Sequence, residues 1–399
     1  AAVESADTPT QFRAGWHGAF GIRRMKPETL TLLLNGQAHS RWDRYELDSD
    51  LFIPADAWSF SLAVPPARLG GERAGLPPIL TTGSRIQVLL GNDVVLSGRL
   101  DDVTHTTVRG RRDLTLRGRD NAAILVDCSA PVFTLRQAKL DEVVAMIGKQ
   151  FGITKTRIDS VKSRTFDRIN IEPGDTAWDA LQHAAEAAGL WPWFDPDGTL
   201  VVGGPDYRVA PVGRLVLGDV ALGENDLPIE ELTETKTLAR RFSEVTVLGQ
   251  SHGTDSQAGR NAVKQTAKDP SVSVYRPKIV IDHECDTPAV ALTRARKLIA
   301  DSHLEGYTVQ VTVPGHRAPN GKPWQPGQRV DVLAPSHEID GTLFVTARKF
   351  SGGRELPTVT ILTLKSDGVW TPDAHPHQRR HRRGKNSTDG AVLDLKPGA

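Results

Sequence analysis

The chain has 399 residues, of which 24% are charged and 39% hydrophobic, a composition typical of soluble globular proteins. Its formal net charge of +1 excludes a chain-wide attraction to nucleic acid or to anionic membranes. No stretch approaches the ~18 apolar residues of a membrane span, and the start lacks the features of a signal peptide, so we expect no membrane insertion. Cys128 and Cys285 are too few for a disulfide framework. A chain of this length is expected to fold as several domains.

A β pattern begins at Thr29, after a polar stretch over residues 1–28 that we interpret as an N-terminal arm. From there to residue 128, short apolar runs are separated by turn signals, among which Asn35-Gly36 is a strong hairpin turn. Short strands at intervals of about ten residues are typical of a small barrel or sandwich. The sequence therefore predicts a first β unit over residues 29–128.

An α+β insert is predicted over residues 129–207. Apolar residues recur at helical spacing from Leu140 to Phe151, and Gly152 is a typical helix end. A second helix is expected to follow Asp175, whose side chain could cap it. Two short strands are expected around the turn Asp197-Gly198.

A second β unit is predicted over residues 208–372. We expect a long polar loop near residues 250–272 and an amphipathic helix near 287–305, and we interpret residues 373–399 as a basic flexible tail. The predicted fold class is therefore α+β, mainly β. Two β units suggest an internal duplication, although no residue-level repeat at a fixed period is apparent.

One motif could carry nucleophilic catalysis. Ser251 lies in the segment Gly249-Gln250-Ser251-His252-Gly253, which fits the G-x-S-x-G pattern of a nucleophile elbow. Such an elbow needs a packed helix directly after the nucleophile, and the following residues have no apolar stripe. Asp282, Asp301 and His303 are candidate partners. A serine hydrolase using Ser251 is therefore kept as an alternative, and we expect no catalytic residue.

Metal ligation is not expected either. His375, His377 and His381 lie close together, but the arginines around them repel a cation. Cys285 follows His283 and Glu284 without a second ligand pair at metal-binding spacing. We therefore expect no metal and no cofactor.

Two weaker patterns remain. The basic run over residues 379–385 keeps a nucleic-acid-binding barrel protein open as a second alternative, although no aromatic residues interleave with it. Trp191 and Trp193 alternate about a proline and could form a sugar platform, but such alternation more often marks a core or interface face. The acidic pairs Asp101-Asp102 and Asp195/Asp197 lie at turns, where aspartate is common.

Three segments carry a resemblance to a known family. Residues 117–131 (RGRDNAAILVDCSAP), 239–250 (ARRFSEVTVLGQ) and 273–281 (SVYRPKIVI) occur in this order, with a helix after the last. Over residues 29–370 the chain resembles the central hub proteins of Mu-like contractile-tail baseplates. The family carries no catalytic residues, so the resemblance implies that the chain is not an enzyme.

The resemblance also implies an architecture and a set of partners. Each chain would contain two small tail-tube-like β-barrels, and a homotrimer would form a ring that joins the sixfold tail tube to the threefold spike. That ring would belong to the conduit through which DNA is ejected, without gripping the DNA. The implied partners are the tube, spike and baseplate wedge proteins, with the tape measure protein as a further candidate. The implied location is the virion, after assembly in the host cytoplasm.

Overall fold

The computed structural model describes residues 28–64, 81–109, 111–131, 134–159, 165–170, 174–187, 189–218, 220–249, 263–282, 285 and 287–370. Within these ranges the chain is mainly β, with four α-helices and several sheets. None of the described helices combines the length and apolarity needed to cross a membrane. The elements group into two β units, an α+β insert between them, and a small helix–sheet unit that interrupts the second β unit.

The described part of the first β unit has seven strands, hydrogen-bonded in the order β2-β1-β5-β6-β7-β4-β3. They are β1 (Leu30–Leu34), β2 (Gln37–His39), β3 (Arg44–Asp50), β4 (Ala57–Val64), β5 (Arg85–Leu90), β6 (Asp93–Val108) and β7 (Arg111–Asp120). The predicted hairpin at Asn35-Gly36 is confirmed, because both residues have left-handed φ values (50° and 78°) and Leu34 pairs with Gln37.

The insert packs three helices on short strands. Its elements are α1 (Ala123–Asp127), β8 (Thr134–Lys139), α2 (Leu140–Gln150), β9 (Thr156–Ile158), β10 (Thr165–Asn170), α3 (Ala177–Ala187), β11 (Trp191–Phe194) and β12 (Leu200–Gly203). The helix predicted from Leu140 begins there and ends at Gln150, and Gly152 is left-handed (φ 73°). The cap of the next helix differs from the prediction: the Thr176 hydroxyl, rather than Asp175, accepts the Asp179 N–H at 3.0 Å.

The second β unit and the helix–sheet unit share the remaining elements. In chain order these are β13 (Arg214–Val216), β14 (Asp226–Pro228), β15 (Glu231–Lys236), β16 (Glu244–Gly249), β17 (Val263–Lys268), β18 (Pro277–Ile281), α4 (Pro288–Gly306), β19 (Tyr307–Pro314), β20 (Arg329–Ala334), β21 (Ile339–Gly352) and β22 (Val359–Ser366). Strands β16, β17 and β18 form a separate three-stranded sheet against which α4 packs, and the other seven strands form the second β unit.

The helix predicted near residues 287–305 is formed by α4, with the Thr287 hydroxyl accepting the Val290 N–H and Pro288 in the first turn. The predicted long loop near 250–272 is wrong in its second half, because residues 263–268 form β17. Val263 and Ala267 are buried against α4. The strand sequence VKQTAK has few apolar residues between its lysines, so its hydrophobic pattern was too weak to indicate a strand. Residues 250–262 lie outside the described ranges.

The two β units have the same strand order. The strands of the second unit are hydrogen-bonded in the order β14-β13-β20-β21-β22-β19-β15. If the strands of each unit are numbered from first to seventh along the chain, both units have the order second, first, fifth, sixth, seventh, fourth, third. Their fifth strands also correspond in sequence: Gly83-Ser84-Arg85-Ile86-Gln87-Val88-Leu89 matches Gly327-Gln328-Arg329-Val330-Asp331-Val332-Leu333 at glycine, arginine, valine and leucine. The shared strand order therefore supports the duplication suggested by the sequence, and the fifth strands carry a short residue-level repeat.

Candidate assembly interface

Strand β21 belongs to both β units. Residues 339–344 pair with β20 of the second unit, whereas residues 347–352 pair with β3 of the first unit. A β-bulge between Val345 and Ala347 separates the two halves. Through this strand the two units form one continuous sheet of fourteen described strands over a single hydrophobic core. The sheet junction holds the two units in a defined relative orientation.

Arg348 lies at the centre of this junction and is only 2% exposed. Its Nη2 donates a hydrogen bond to the Val95 carbonyl at 3.0 Å, and its guanidinium lies 4.0 Å from the centre of the Phe350 ring. Among the described residues, Nε and Nη1 have no hydrogen-bond partner. Burial lowers the pKa of Arg348 to about 10, so the side chain remains charged at neutral pH. No sequence motif marks this residue, because β21 also carries the polar residues Asp340, Thr346 and Lys349.

Two buried carboxyl groups lie near this cation. Burial raises the pKa of Asp56 to about 6, although the Ser49 hydroxyl donates to it and the charge of Arg348 opposes the shift. The pKa of Asp120 is also raised, first by burial and then by the charge of Asp56. Together with Trp193 these residues line a cavity of about 60 Å³ where the first unit, the insert and the second unit meet. The junction therefore places one buried cation and two carboxyl groups around the same cavity, and Arg348 forms no ion pair within 4.0 Å with either carboxyl group.

A neutral histidine, His316, joins the same units and also contacts Phe350. His316 stacks on that ring at 4.3 Å, and its two ring nitrogens lie 3.0 Å from the Tyr45 and Thr360 hydroxyl oxygens. Burial, followed by the positive charge of Arg348, lowers the pKa of His316 to about 3. A neutral imidazole has one donor and one acceptor nitrogen, which matches two hydroxyl partners.

Arg317 ties the second unit to the turn between β5 and β6. Its Nε and Nη1 lie 2.6 Å from the carboxylates of Glu28 and Asp93, and its Nη2 donates to the Leu90 carbonyl at 3.0 Å. The insert is attached by Trp191, whose Nε1 donates to the Leu51 carbonyl at 2.7 Å. Trp191 is therefore part of a contact between units, which leaves its indole N–H engaged and weakens the sugar-platform interpretation.

Each β unit also presents an edge strand. Strand β5 pairs with β6 as far as Arg99, so residues 101–108 of β6 have β7 as their one neighbour among the described strands. Strand β15 has β19 as its one described neighbour. Val108, at the end of β6, is 54% exposed. Backbone donors and acceptors along such edges can pair with another chain.

The three candidate partners of Ser251 do not converge on one site among the described residues. Ser251 lies outside the described residues, and so do the tail histidines and the basic run over 379–385. Asp282 lies 3.5 Å from Arg294, Asp301 pairs with Lys297, and His303 Nε2 lies 2.9 Å from Asp269. The three candidate partners thus belong to separate ion pairs along α4.

Other acidic and metal-ligating candidates have structural roles. Cys285 is buried in the α4 core, while His283 and Glu284 fall outside the described ranges. In the described part of the chain, no group of three or more His, Cys, Asp and Glu side chains could hold a metal ion. Asp101 pairs with Arg119 at 2.7 Å, and Asp197 accepts the Thr199 N–H within its turn.

Comparisons with known proteins cover nearly the whole described chain. Four family models match in order: "Mu phage baseplate assembly protein GpP-like, N-terminal" over 29–120, "Baseplate hub protein gp44-like, second domain" over 122–204, "Tail protein NMB1110-like, third domain" over 241–299 and "Tail protein, C-terminal domain" over 301–369. The chain is 25% identical to the baseplate hub protein gp44 of Escherichia phage Mu over 387 residues, which cover 91% of this chain and 94% of that protein.

Solved structures agree with these matches. The tail protein from Neisseria meningitidis MC58 is 36% identical, with a TM-score of 0.75 over 88% of this chain and 100% of its own. The 43 kDa tail protein of prophage MuSo2 from Shewanella oneidensis shares the fold, with a TM-score of 0.74 at 22% identity over 87% of this chain and 99% of its own. By sequence and by fold, this chain belongs to the family of Mu-like phage tail baseplate hub proteins.

Proposed function

We propose that this protein is the central hub of a contractile-tail baseplate and assembles as a homotrimer. In this proposal each β unit is a small tail-tube-like barrel, and three chains place six such units in a ring. The observation that carries the proposal is the shared strand order of the two units and their junction through β21 and β3. A chain that contains two equivalent units can present six similar positions to a sixfold tube while remaining threefold for a spike.

The proposed partners follow from this position in the tail. The tube protein would contact one face of the ring and the spike protein the other, and wedge proteins would surround it, with the tape measure protein as a further candidate. The proposed location is the virion, after assembly in the host cytoplasm. A near-neutral chain also suits a conduit through which DNA passes, because a strongly basic lining would bind the phosphates.

We propose a structural role without catalysis. The relatives that match are a baseplate hub protein and tail proteins, and the side chains at the junction are engaged in contacts between units. Substitution of Ser251 by alanine should therefore leave assembly and infectivity unchanged. A loss of infectivity in that variant, with the trimer intact, would favour the hydrolase alternative.

Native mass spectrometry tests the assembly. We expect a species of three times the 43.4 kDa chain mass, formed by the chain alone or together with the tube and spike proteins of the same particle. A monomer under all of these conditions would contradict the proposal. Electron microscopy of the trimer should show six similar density units around one axis.

A further inference from the structure

We infer that residues 101–108 of β6 in one copy pair antiparallel with β15 of the next copy. This contact would be the counterpart, between chains, of the β21–β3 junction within each chain, and it rests on the ring proposed above. The inference comes from four observations: the two units have equivalent strands, their registers correspond, both edges lack a second partner among the described residues, and the side chains that would face one another are compatible.

Strands β6 and β21 are equivalent. Each is the sixth strand of its unit. In each, pairing with the fifth strand ends one residue before the bulge, at Arg99 in β6 and at Phe344 in β21. Leu100 precedes the bulge in β6, and Val345 precedes it in β21. Beyond the bulge, residues 347–352 of β21 pair with β3, whereas residues 102–107 of β6 have the corresponding edge open among the described strands.

Strands β3 and β15 are equivalent as well. Each is the third strand of its unit and pairs with the fourth strand. Leu47 lies opposite Trp58 in the first unit, and Glu234 lies opposite Val309 in the second. In the first unit, Gly118 of the seventh strand lies opposite both Trp58 and Leu100. In the second unit, Leu364 of the seventh strand lies opposite both Val309 and Val345 in the same way. Leu47 and Glu234 therefore occupy the same position.

These equivalences allow the residue pairing between β21 and β3 within one chain to be applied to β6 and β15 of neighbouring chains. Within the chain, Lys349 pairs with Asp48, Phe350 with Leu47 and Ser351 with Glu46. The corresponding pairs between chains are Thr104 with Thr235, His105 with Glu234, and Thr106 with Thr233. One face of the paired strands would then carry two threonine pairs, and the other would place an imidazole opposite a carboxylate.

The chemistry of these pairs favours the contact. Threonine pairs on facing strands each stabilise a sheet by about 0.2–1 kcal/mol, and an imidazole N–H can donate a hydrogen bond to a facing carboxylate. Val103, Thr104 and Thr106 in β6 and the two threonines of β15 are β-branched, which suits an extended strand. Thr104, Thr106, Thr233 and Thr235 are exposed in the single chain, so the side chains are accessible to a neighbour.

The geometry of the junction leads to a closed ring. The contact joins the third strand of one unit to the sixth strand of another, so it is a head-to-tail interface that uses two different surfaces. Repetition of the same junction within and between chains places every unit in an equivalent environment. Three chains supply the six units that a sixfold ring requires, and closure leaves neither edge open.

Paired cysteines test the register directly. In a Cys128→Ser background, Thr104→Cys combined with Thr235→Cys places two thiols in facing positions on the two strands. Facing residues in an antiparallel pair have Cα separations of about 4.5–5.5 Å, which a disulfide can bridge. After mild oxidation we expect covalent dimers and trimers on a non-reducing gel, with no larger species.

The matched control combines Thr104→Cys with Glu231→Cys in the same background. Residue 231 is four positions from residue 235, so its Cα would lie roughly 14 Å from the facing position, beyond the reach of a disulfide. We expect this variant to give monomer bands. Equal cross-linking in both variants would overturn the proposed register.

The remaining outcomes separate the two proposals. A trimer in native mass spectrometry without a bond between residues 104 and 235 would overturn the strand pairing and leave the ring intact. A disulfide within one chain, or protection of the β6 edge by residues 65–80 of the same chain in hydrogen exchange, would overturn the pairing as well. Monomers in every variant, including the parent, would instead contradict the proposed function.

A charge exchange gives a second test that needs no oxidation. Thr104→Lys with Thr235→Lys places like charges opposite each other, and we expect loss of the trimer while the monomer stays folded. Thr104→Lys with Thr235→Glu places opposite charges there and should restore the trimer. If both double variants assembled equally well, these strands would not face one another.

Discussion

Leu100 and Val345 occupy the same position in the two β units and make the same backbone contacts. The Leu100 N–H donates to the Ser84 carbonyl at 3.0 Å, and the Val345 N–H donates to the Gln328 carbonyl at 2.9 Å. Their carbonyl oxygens accept from the glycine N–H groups of residues 83 and 327, at 2.7 and 2.8 Å. The duplicated unit has therefore kept its backbone hydrogen bonds at the bulge while the side chains around them diverged.

A close backbone contact in the first unit predicts a strong effect of one methyl group. A Cβ at Gly98 would lie 2.1 Å from the Arg119 carbonyl oxygen, a backbone atom that cannot move without disturbing the sheet. We expect Gly98→Ala to lower the free energy of unfolding by about 1–3 kcal/mol or more, measured by urea denaturation. Gly341→Ala is the control, because nothing lies within 4 Å of its Cβ. A change of less than about 0.5 kcal/mol is expected there.

The buried cation of the junction predicts a second effect. Replacing Arg348 with methionine removes the positive charge that favours the ionised form of Asp56, so the Asp56 carboxyl becomes more costly to ionise. The substitution also removes the hydrogen bond to the Val95 carbonyl, so we expect the free energy of unfolding at pH 7 to fall by about 1–3 kcal/mol, seen as a decrease in the urea midpoint. Lys349→Met, on the outward face of the same strand, should change the midpoint little. Equal effects of the two substitutions would contradict the role assigned to Arg348.

The raised pKa of Asp56 predicts a dependence of stability on pH. Its carboxyl ionises near 3.8 in the unfolded chain and near 6 in the folded chain, where Asp48, Asp50, Asp120, Ser49 and Arg348 surround it. Between these values the folded state binds more protons, so the free energy of unfolding falls as the pH rises.

Thermal unfolding of the wild type and of Asp56→Asn at several pH values between 4 and 7 measures this contribution. We expect the difference in stability between variant and wild type to shift in favour of the variant as the pH rises through this window. A difference that stays constant with pH would contradict the raised pKa.

His316 predicts the opposite dependence over an overlapping range. Its imidazole binds a proton near pH 6.5 in the unfolded chain but near 3 in the folded chain. Between these values the unfolded state binds more protons, so the free energy of unfolding falls as the pH is lowered. We expect His316→Leu to lose this acid sensitivity while costing about 1–3 kcal/mol at pH 7, since the Tyr45 hydroxyl loses its partner. Acid sensitivity equal to that of the wild type would show that another group is responsible.

Sequence patterns predicted the local elements well because these depend on neighbouring residues. The Asn35-Gly36 hairpin, the helix that begins at Leu140 and the helix after Thr287 follow from left-handed turn residues, apolar spacing and capping. The sequence failed at β17, whose alternation spans six residues among lysines. It also assigned the α3 cap to Asp175, one residue before the Thr176 hydroxyl that fills it.

The candidate interface was largely beyond the reach of such patterns. Nothing local distinguishes the buried Arg348 from the neighbouring Lys349, because the polarity of a strand residue does not reveal what lies on each face. The repeat that begins at Gly83 and at Gly327 covers only seven residues, and about 240 residues separate its two copies. The match is recognisable as a repeat because both copies lie on the fifth strand of units with the same strand order.

By itself, the sequence determined the class of the fold, the positions of most turns and helices, and a family resemblance that the comparisons bear out. These depend on local backbone preferences and on the order of segments along the chain. Only the tertiary structure decided that β21 pairs with β3, about 300 residues earlier, and that β6 and β15 present equivalent edges. Strands pair through backbone N–H and C=O groups, which nearly every residue carries, so the side chains of a strand do not specify its partner strand. The packing of the whole sheet determines which strands pair.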